Sequence, residues 1–280
     1  MHARRELVAQ LRALGLAHGD AVMVHASVRA VGPIAGGPDQ IHLAIKEAIG
    51  DEGTLLMYAS CPEYYDEVGR GTLAPDVEAE LREKLPPFDA LTARSARDNG
   101  ALVELLRTYP GSRVNDHVVR FVAWGAHADR LLAPQPWDFA FGAGSALERF
   151  VALDGKILML GSDHDTVTFL HYTEHVGDFP GKRVIRYQVP VLERGERVWR
   201  WTAEVDTSDG GAHPHWPDRL FAKIVDEHLR ATGNSGGCIG DAPSWLMNAR
   251  ALHEDALRIM RRIARDAESA SALAGGAGPA

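Results

Sequence analysis

Residues 21–58 read AVMVHASVRAVGPIAGGPDQIHLAIKEAIGDEGTLLMY, and the changes of period along this stretch decide the fold class. Ala21-Val22-Met23-Val24-His25 is a short unbroken apolar run, which reads as a strand covered on both faces. From Pro38 the spacing becomes helical. Ile41, Ala44, Ile45, Ala48 and Ile49 form one stripe, opened by Pro38 and stopped by Gly50. Thr54 to Tyr58 is apolar again, a second buried strand. Strand, helix, strand in this span is the βαβ unit of a parallel or mixed sheet, so the chain is α/β.

Working outward, Leu7, Leu11 and Leu14 mark an N-terminal helix that Gly15 and Gly19 end. Ala101–Tyr109 reads as a helix, Val118–Trp124 and Lys156–Gly161 as strands, and Thr166–Val176 as a helix. Val184–Val191 and Arg197–Ala203 flank Glu193-Arg194-Gly195-Glu196 as a hairpin. Leu252, Ala256, Ile259 and Ile263 mark a last amphipathic helix. Residues 60–100 carry acids and aromatics with little regular pattern, as long binding loops do. There is no repeat and no linker. Residues 1–265 are expected to form a single domain, and the Ala/Gly-rich residues 266–280 a disordered tail.

Composition excludes some classes. The 280 residues are 45% hydrophobic and 24% charged, an ordinary globular balance. A net charge of −8 argues against phosphate-backbone binding, hence no nucleic acid, and suits a cationic ligand. Cys61 and Cys238 form no CxxC pair, so a disulfide framework is not expected and the cytoplasm is the simplest location. Met1–Gln10 lacks the apolar core of a signal peptide. No apolar run nears the roughly 20 residues that span a bilayer, so no membrane partner is expected. The oligomeric state is open, a homodimer included.

The densest polar cluster runs from Gly161 to His175, off the end of a buried strand and into a helix. Ligands gather at the carboxyl ends of strands in open α/β sheets. Thr168, His171 and Glu174 are three apart, so on a helix successive pairs touch. A carboxylate beside an imidazole orients it as a general base. A helix cap with solvated polar residues is the plain alternative. His171-Tyr172-Thr173-Glu174-His175 also matches H-x-x-E-H, the inverted zincin signature, in a chain with 13 histidines and no marked third ligand. A second candidate is His25-Ala26-Ser27, followed by Arg29 and the Gly36-Gly37 turn before a helix. Exposed backbone N–H groups there suit a phosphate or an oxyanion.

Several ordered motifs together resemble the aminoglycoside 3-N-acetyltransferase family. Val24-His25-Ala26-Ser27 is similar to its VHxS, Gly32 to Gly37 to its glycine turn, and Gly50 to Leu55 to its step into the next strand, with Asp51 where proline is usual. Pro87-Phe88-Asp89, Gly144-Ser145 with Glu148-Arg149-Phe150, Lys156 to Glu174, Asp206 to Gly210 and Gly236 to Gly240 follow in the family's order. The resemblance covers about residues 1–265. Arg113-Val114-Asn115-Asp116-His117 departs from RSxHP, Asp-His replacing His-Pro, and Gly211 to Trp216 matches none of these motifs.

The resemblance implies a three-layer mixed-sheet sandwich with helices on both faces, distinct from the common acetyltransferase fold. It implies acetyl-CoA as cosubstrate, an aminoglycoside acceptor acetylated at the 3-amino group, antibiotic resistance as the outcome, and no metal. Within that activity His171, oriented by Glu174, is the expected base. Thr168 and backbone N–H groups near Ser27 or the glycine turn are the expected oxyanion donors, with the departing CoA sulfur as a second expected partner of Thr168. Gly36, Gly37, Arg29 and Arg113 are expected to hold the phosphates of CoA, and Asp66, Asp89, Asp206 and Asp209 the ammonium groups of the antibiotic. A protein that merely sequesters a polycation is the competing class, and thiol release from acetyl-CoA separates the two.

Overall fold

Parallel strands from the βαβ unit form the centre of a computed structural model that describes residues 1–207 and 212–275, from 267 on as backbone. The strands are β1 (Ala21–Ala26), β2 (Thr54–Tyr58), β3 (Arg113–Val114), β4 (Phe121–Gly125), β5 (Lys156–Leu160), β6 (Val184–Glu193), β7 (Glu196–Val205), β8 (Gly237–Ile239) and β9 (Ala242–Asn248). The helices are α1 (Arg4–Ala13), α2 (Val28–Val31), α3 (Asp39–Ile49), α4 (Pro75–Lys84), α5 (Ala101–Arg107), α6 (Ala128–Leu131), α7 (Ala146–Ala152), α8 (Leu170–Val176), α9 (Leu220–Thr232) and α10 (Ala249–Gly275). The main sheet has the order β3-β4-β2-β1-β5-β9-β8. β1 is parallel to β2 and β5, and the outer pairs are antiparallel.

Alternation along the central strands fills two cores. Val22, Val24, Leu55, Met57, Leu158 and Leu160 face α1, α3 and α5, where Leu7, Leu11, Ile41, Ile45 and Leu106 meet them. Met23, Leu56, Ile157 and Met159 face the other way, against Leu147, Phe150, Leu170, Leu252 and Ala256. Both faces are covered, which is why these strands read as unbroken apolar runs. Each such side chain contributes about 1.5–3 kcal/mol by leaving water. The mixed sheet between two helical layers is the α/β sandwich the sequence leads one to expect.

β6 and β7 form a separate two-stranded sheet, turned at Arg194 and Gly195, whose φ values are 53° and 87°. That pair of left-handed residues is what a two-residue hairpin turn requires. Three boundaries differ from the sequence reading. The strand expected from Val118 begins at Phe121, because side chains take over the preceding backbone: Asn115 Oδ1 accepts the Phe121 N–H and His117 Nδ1 accepts that of Val119 (2.9 Å). The helix expected from Thr166 begins at Leu170, because Asp163 caps a tight turn at His164–Thr166. The backbone of α10 runs helically to Gly275, where composition leads one to expect disorder from 266; residues 276–280 lie outside the described residues.

Candidate active site

The polar cluster after β5 folds around its own apolar residues. Val167, Phe169 and Leu170 are fully buried and anchor the turn, so that α8 starts at the carboxyl end of the sheet. On α8 His171 and Glu174 share a face. Nδ1 of His171 lies 2.6 Å from Oε2 of Glu174, and their side chains are 22% and 2% exposed. An ionised carboxylate only accepts, so Nδ1 carries the proton and the lone pair is left on Nε2. The rings of Phe141 and Phe221, at 5.2 and 5.0 Å, flank the imidazole. Thr168 is not on the helix, contrary to expectation. It lies in the turn before α8 and meets His171 through the backbone, its carbonyl accepting the His171 N–H (3.1 Å).

His175 does not turn towards His171 to share a metal. Its Nδ1 donates to the His171 carbonyl (2.7 Å), and its Nε2 faces Oε2 of Glu204 on β7 (2.6 Å). Oε1 of Glu204 accepts the Ala140 N–H (2.7 Å). Both nitrogens of His175 are therefore directed at oxygen acceptors, with no lone pair turned towards His171 for a zinc ion.

Two clefts meet around Tyr58. The first, about 420 Å³, is lined by His25, Ser27, Asn99, Gly100, Gly161, Ser162 and Thr168 among others. The second, about 490 Å³, is lined by Ser60, Cys61, Glu63, Tyr64, Asp66, Glu67, Phe141, His171 and Thr207 among others. Tyr58 lines both and packs on Phe121 and Phe141. Arg120, fully buried, holds the ends of the acidic loop. Its guanidinium donates to the carbonyls of Ala59, Ser60, Ala90 and Ala93 at 2.6–3.3 Å.

The remaining expected site residues divide. Ser27 lines the first cleft, but its N–H donates to the Leu160 carbonyl (2.9 Å) and its Oγ caps α2. That amide is engaged within the protein. Arg29 is exposed on α2 and does not line the cleft. Gly36 and Gly37 make the left-handed turn ahead of α3, also outside its lining. Arg113 sits on edge strand β3, ion-paired with Asp129 and away from both clefts.

Asp66 lines the second cleft, 3.2 Å from Arg70. Asp89 does not. It lines a separate cleft of about 840 Å³ with Trp137 and Arg200, and it accepts from Thr92 Oγ1 and the Leu91 N–H. Those hydrogen bonds hold its carboxyl below the usual range, as for a turn-capping aspartate. Asp206 lies beside Thr207 of the second cleft, 3.7 Å from Arg183. Asp209 falls outside the described residues.

Sequence reasoning did not single out Tyr58, Glu63 and Glu67 as site residues. The signal was their position at the end of β2 and in the loop that leaves it, since the carboxyl ends of parallel strands carry sites.

Comparison with known proteins places this arrangement. The family model for aminoglycoside 3-N-acetyltransferase matches residues 23–261. The chain is 38% identical to aminoglycoside N(3)-acetyltransferase III of Pseudomonas aeruginosa over 252 residues, 90% of each chain. It is 36% identical to aminoglycoside N(3)-acetyltransferase VII of Streptomyces paromomycinus, over 88% of this chain and 87% of that one. The solved structure of AAC-IIIb in binary complex with CoASH superposes with a TM-score of 0.87 at 40% identity, covering 93% of this chain and 97% of that one. AAC-VIa bound to sisomicin superposes with a TM-score of 0.85 at 35% identity, covering 93% and 98%.

Proposed function

The chain belongs to the aminoglycoside 3-N-acetyltransferase family, and on that premise we propose that His171, backed by Glu174, is the base with which it acetylates an aminoglycoside amine. The observation that carries this reading is the 2.6 Å contact between His171 Nδ1 and the buried Glu174 carboxylate, at the cleft that also holds Glu63, Asp66 and Glu67. Acetyl-CoA supplies the acetyl thioester, and the Ser27–Thr168 cleft is the side assigned to it. The acidic cleft is the side assigned to the polycationic acceptor.

Each residue then has a defined task. Glu63, Asp66 and Glu67 attract ammonium groups, several weak pairs acting together. An ammonium has no lone pair, so the attacking amine must be neutral. His171 Nε2 takes the amine proton as the nitrogen–carbon bond forms. The same nitrogen returns the proton to the departing sulfur, so that CoA leaves as the thiol. Thr168 offers its hydroxyl to the carbonyl oxygen or to the sulfur. Holding both substrates at one junction makes the attack effectively unimolecular. No metal enters this scheme.

We read residues 1–265 as one catalytic unit, regioselective for the 3-amino group as the relatives' names state of them. Its place is the cytoplasm, in keeping with free thiols at Cys61 and Cys238. Among the described residues no helix is long and apolar enough to cross a membrane. The test is direct: the purified protein is mixed with acetyl-CoA and an aminoglycoside. One CoA thiol released per N-acetyl product supports the reading. Antibiotic binding without thiol release would make the protein a sequestering one.

A further inference from the structure

His25 closes the apolar run of β1 and lines the cleft that holds Ser27 and Thr168. Its Nε2 is buried and has no hydrogen-bond partner. An apolar residue would satisfy the same space without leaving a polar atom unpaired, so an unbonded imidazole here calls for an explanation. Its backbone is also fixed: the His25 carbonyl accepts from Ser162 Oγ (3.0 Å), which ties the end of β1 to the loop after β5.

The backbone donors that the sequence promises around this cleft are already engaged, which leaves the Thr168 hydroxyl to serve either the carbonyl or the sulfur. The Ser27 N–H is bonded to Leu160 and that of Gly161 to Pro243, each at 2.9 Å. The Ala30 N–H is bonded to Ser27, and that of Gly37 to Ile34. A thioester carbonyl held there gains negative charge as the amine attacks and needs a donor already in place. Burial, together with the nearby His171, lowers the His25 pKa to about 4. At neutral pH its ring therefore carries a single N–H and does not compete with His171 for the proton. A neutral imidazole of this kind polarises carbonyls in other enzymes.

We infer that His25 is a further catalytic residue, whose ring N–H hydrogen-bonds the acetyl carbonyl oxygen as charge develops on it. The step needs no proton from His25. As the nitrogen–carbon bond forms, the carbonyl π pair moves onto oxygen. The oxyanion accepts the His25 N–H, and the amine proton goes to His171. Collapse restores the carbonyl, breaks the carbon–sulfur bond and releases CoA with that proton. This assignment rests on His171 acting as the base.

The test compares His25→Leu, which fills similar space without a donor, with His25→Gln, which keeps one. His25→Leu is expected to lower kcat about 10²–10³-fold with little change in the KM for acetyl-CoA. His25→Gln should recover part of the loss, and the acid limb of the pH–rate profile should stay where it is in both. Wild-type kcat in His25→Leu overturns the inference. So does a loss that His25→Gln does not recover, or a displaced acid limb, which would make His25 a positioning residue for His171. If His25→Leu does not fold, the His25→Gln and His25→Asn rates decide: a fall below the wild type with an unmoved acid limb supports the donor, and a wild-type rate in His25→Asn, whose shorter amide cannot reach as far, overturns it. His171→Ala measured in parallel separates the two claims, since full turnover there removes the base and with it the premise.

Discussion

Oε2 of Glu204 stands 2.6 Å from Nε2 of His175, and this contact ties the long hairpin to the helix that carries His171. The side chains are 5% and 1% exposed. Removing one partner of such a pair leaves a polar group buried alone, at about 3–5 kcal/mol where the pair is ionised. Glu204→Leu should therefore lower stability by about 3 kcal/mol, read as the denaturant midpoint. It should also slow turnover, because His175 Nδ1 holds the His171 carbonyl. An unchanged midpoint would show that the contact contributes nothing.

Metal chelation should leave turnover as it is. Glu174 takes one nitrogen of His171, and oxygen acceptors face both nitrogens of His175, so the H-x-x-E-H spacing serves two separate dyads. Loss of activity in chelator, restored by zinc, would revive the metalloenzyme reading.

The two loop aspartates should part company. Asp66 lines the cleft of His171, whereas Asp89 caps its own turn beside another cleft. Asp66→Asn should raise the antibiotic KM about two- to five-fold, the worth of one half-exposed ion pair, and less so at high salt. Asp89→Asn should cost a little stability and leave both Michaelis constants alone. Equal effects on KM at the two positions would contradict the assignment of the clefts.

Acid should destabilise the fold through His117. Its Nδ1 accepts the Val119 N–H and its Nε2 donates to the Trp137 carbonyl, so the neutral ring is satisfied and buried, with a pKa lowered to about 4 mainly by burial. The unfolded chain binds a proton near pH 6.5, where the folded chain does not. The stabilisation is therefore complete above about pH 6.5 and lost on descending towards about pH 4, at about 1.4 kcal/mol per pH unit. His117→Asn keeps an acceptor for Val119 and should flatten the decline in unfolding midpoint between pH 7 and 5. His25, lowered in the same direction, contributes with the same sign.

How far the sequence was legible follows from physical pattern. β1, α3 and β2 are plain because burial on one or two faces writes a period into the chain. α4 is invisible by that rule: it buries no residue and is held by Pro75 at its start and by Glu78–Arg82 and Glu80–Lys84 pairs. The His171–Glu174 pair was legible because helical spacing alone brings the two into contact. At Arg113, Asp89, Gly36 and Gly37, which lie outside the linings of the two clefts around Tyr58, the signal is of another kind. Charge or glycine says what a residue can bind, and only the chain path says whether it reaches the cleft. The Asp129 that pairs with Arg113 and the Leu160 carbonyl that takes the Ser27 N–H are tertiary partners, with no local signature.

The most direct measurement is the rate of CoA thiol release, from acetyl-CoA and a saturating aminoglycoside, by folded His171→Ala beside the wild type. The account predicts a fall of about 10²–10⁴-fold in kcat, the usual worth of a positioned base, with the unfolding midpoint little changed. A folded His171→Ala protein that releases thiol at the wild-type rate would contradict it.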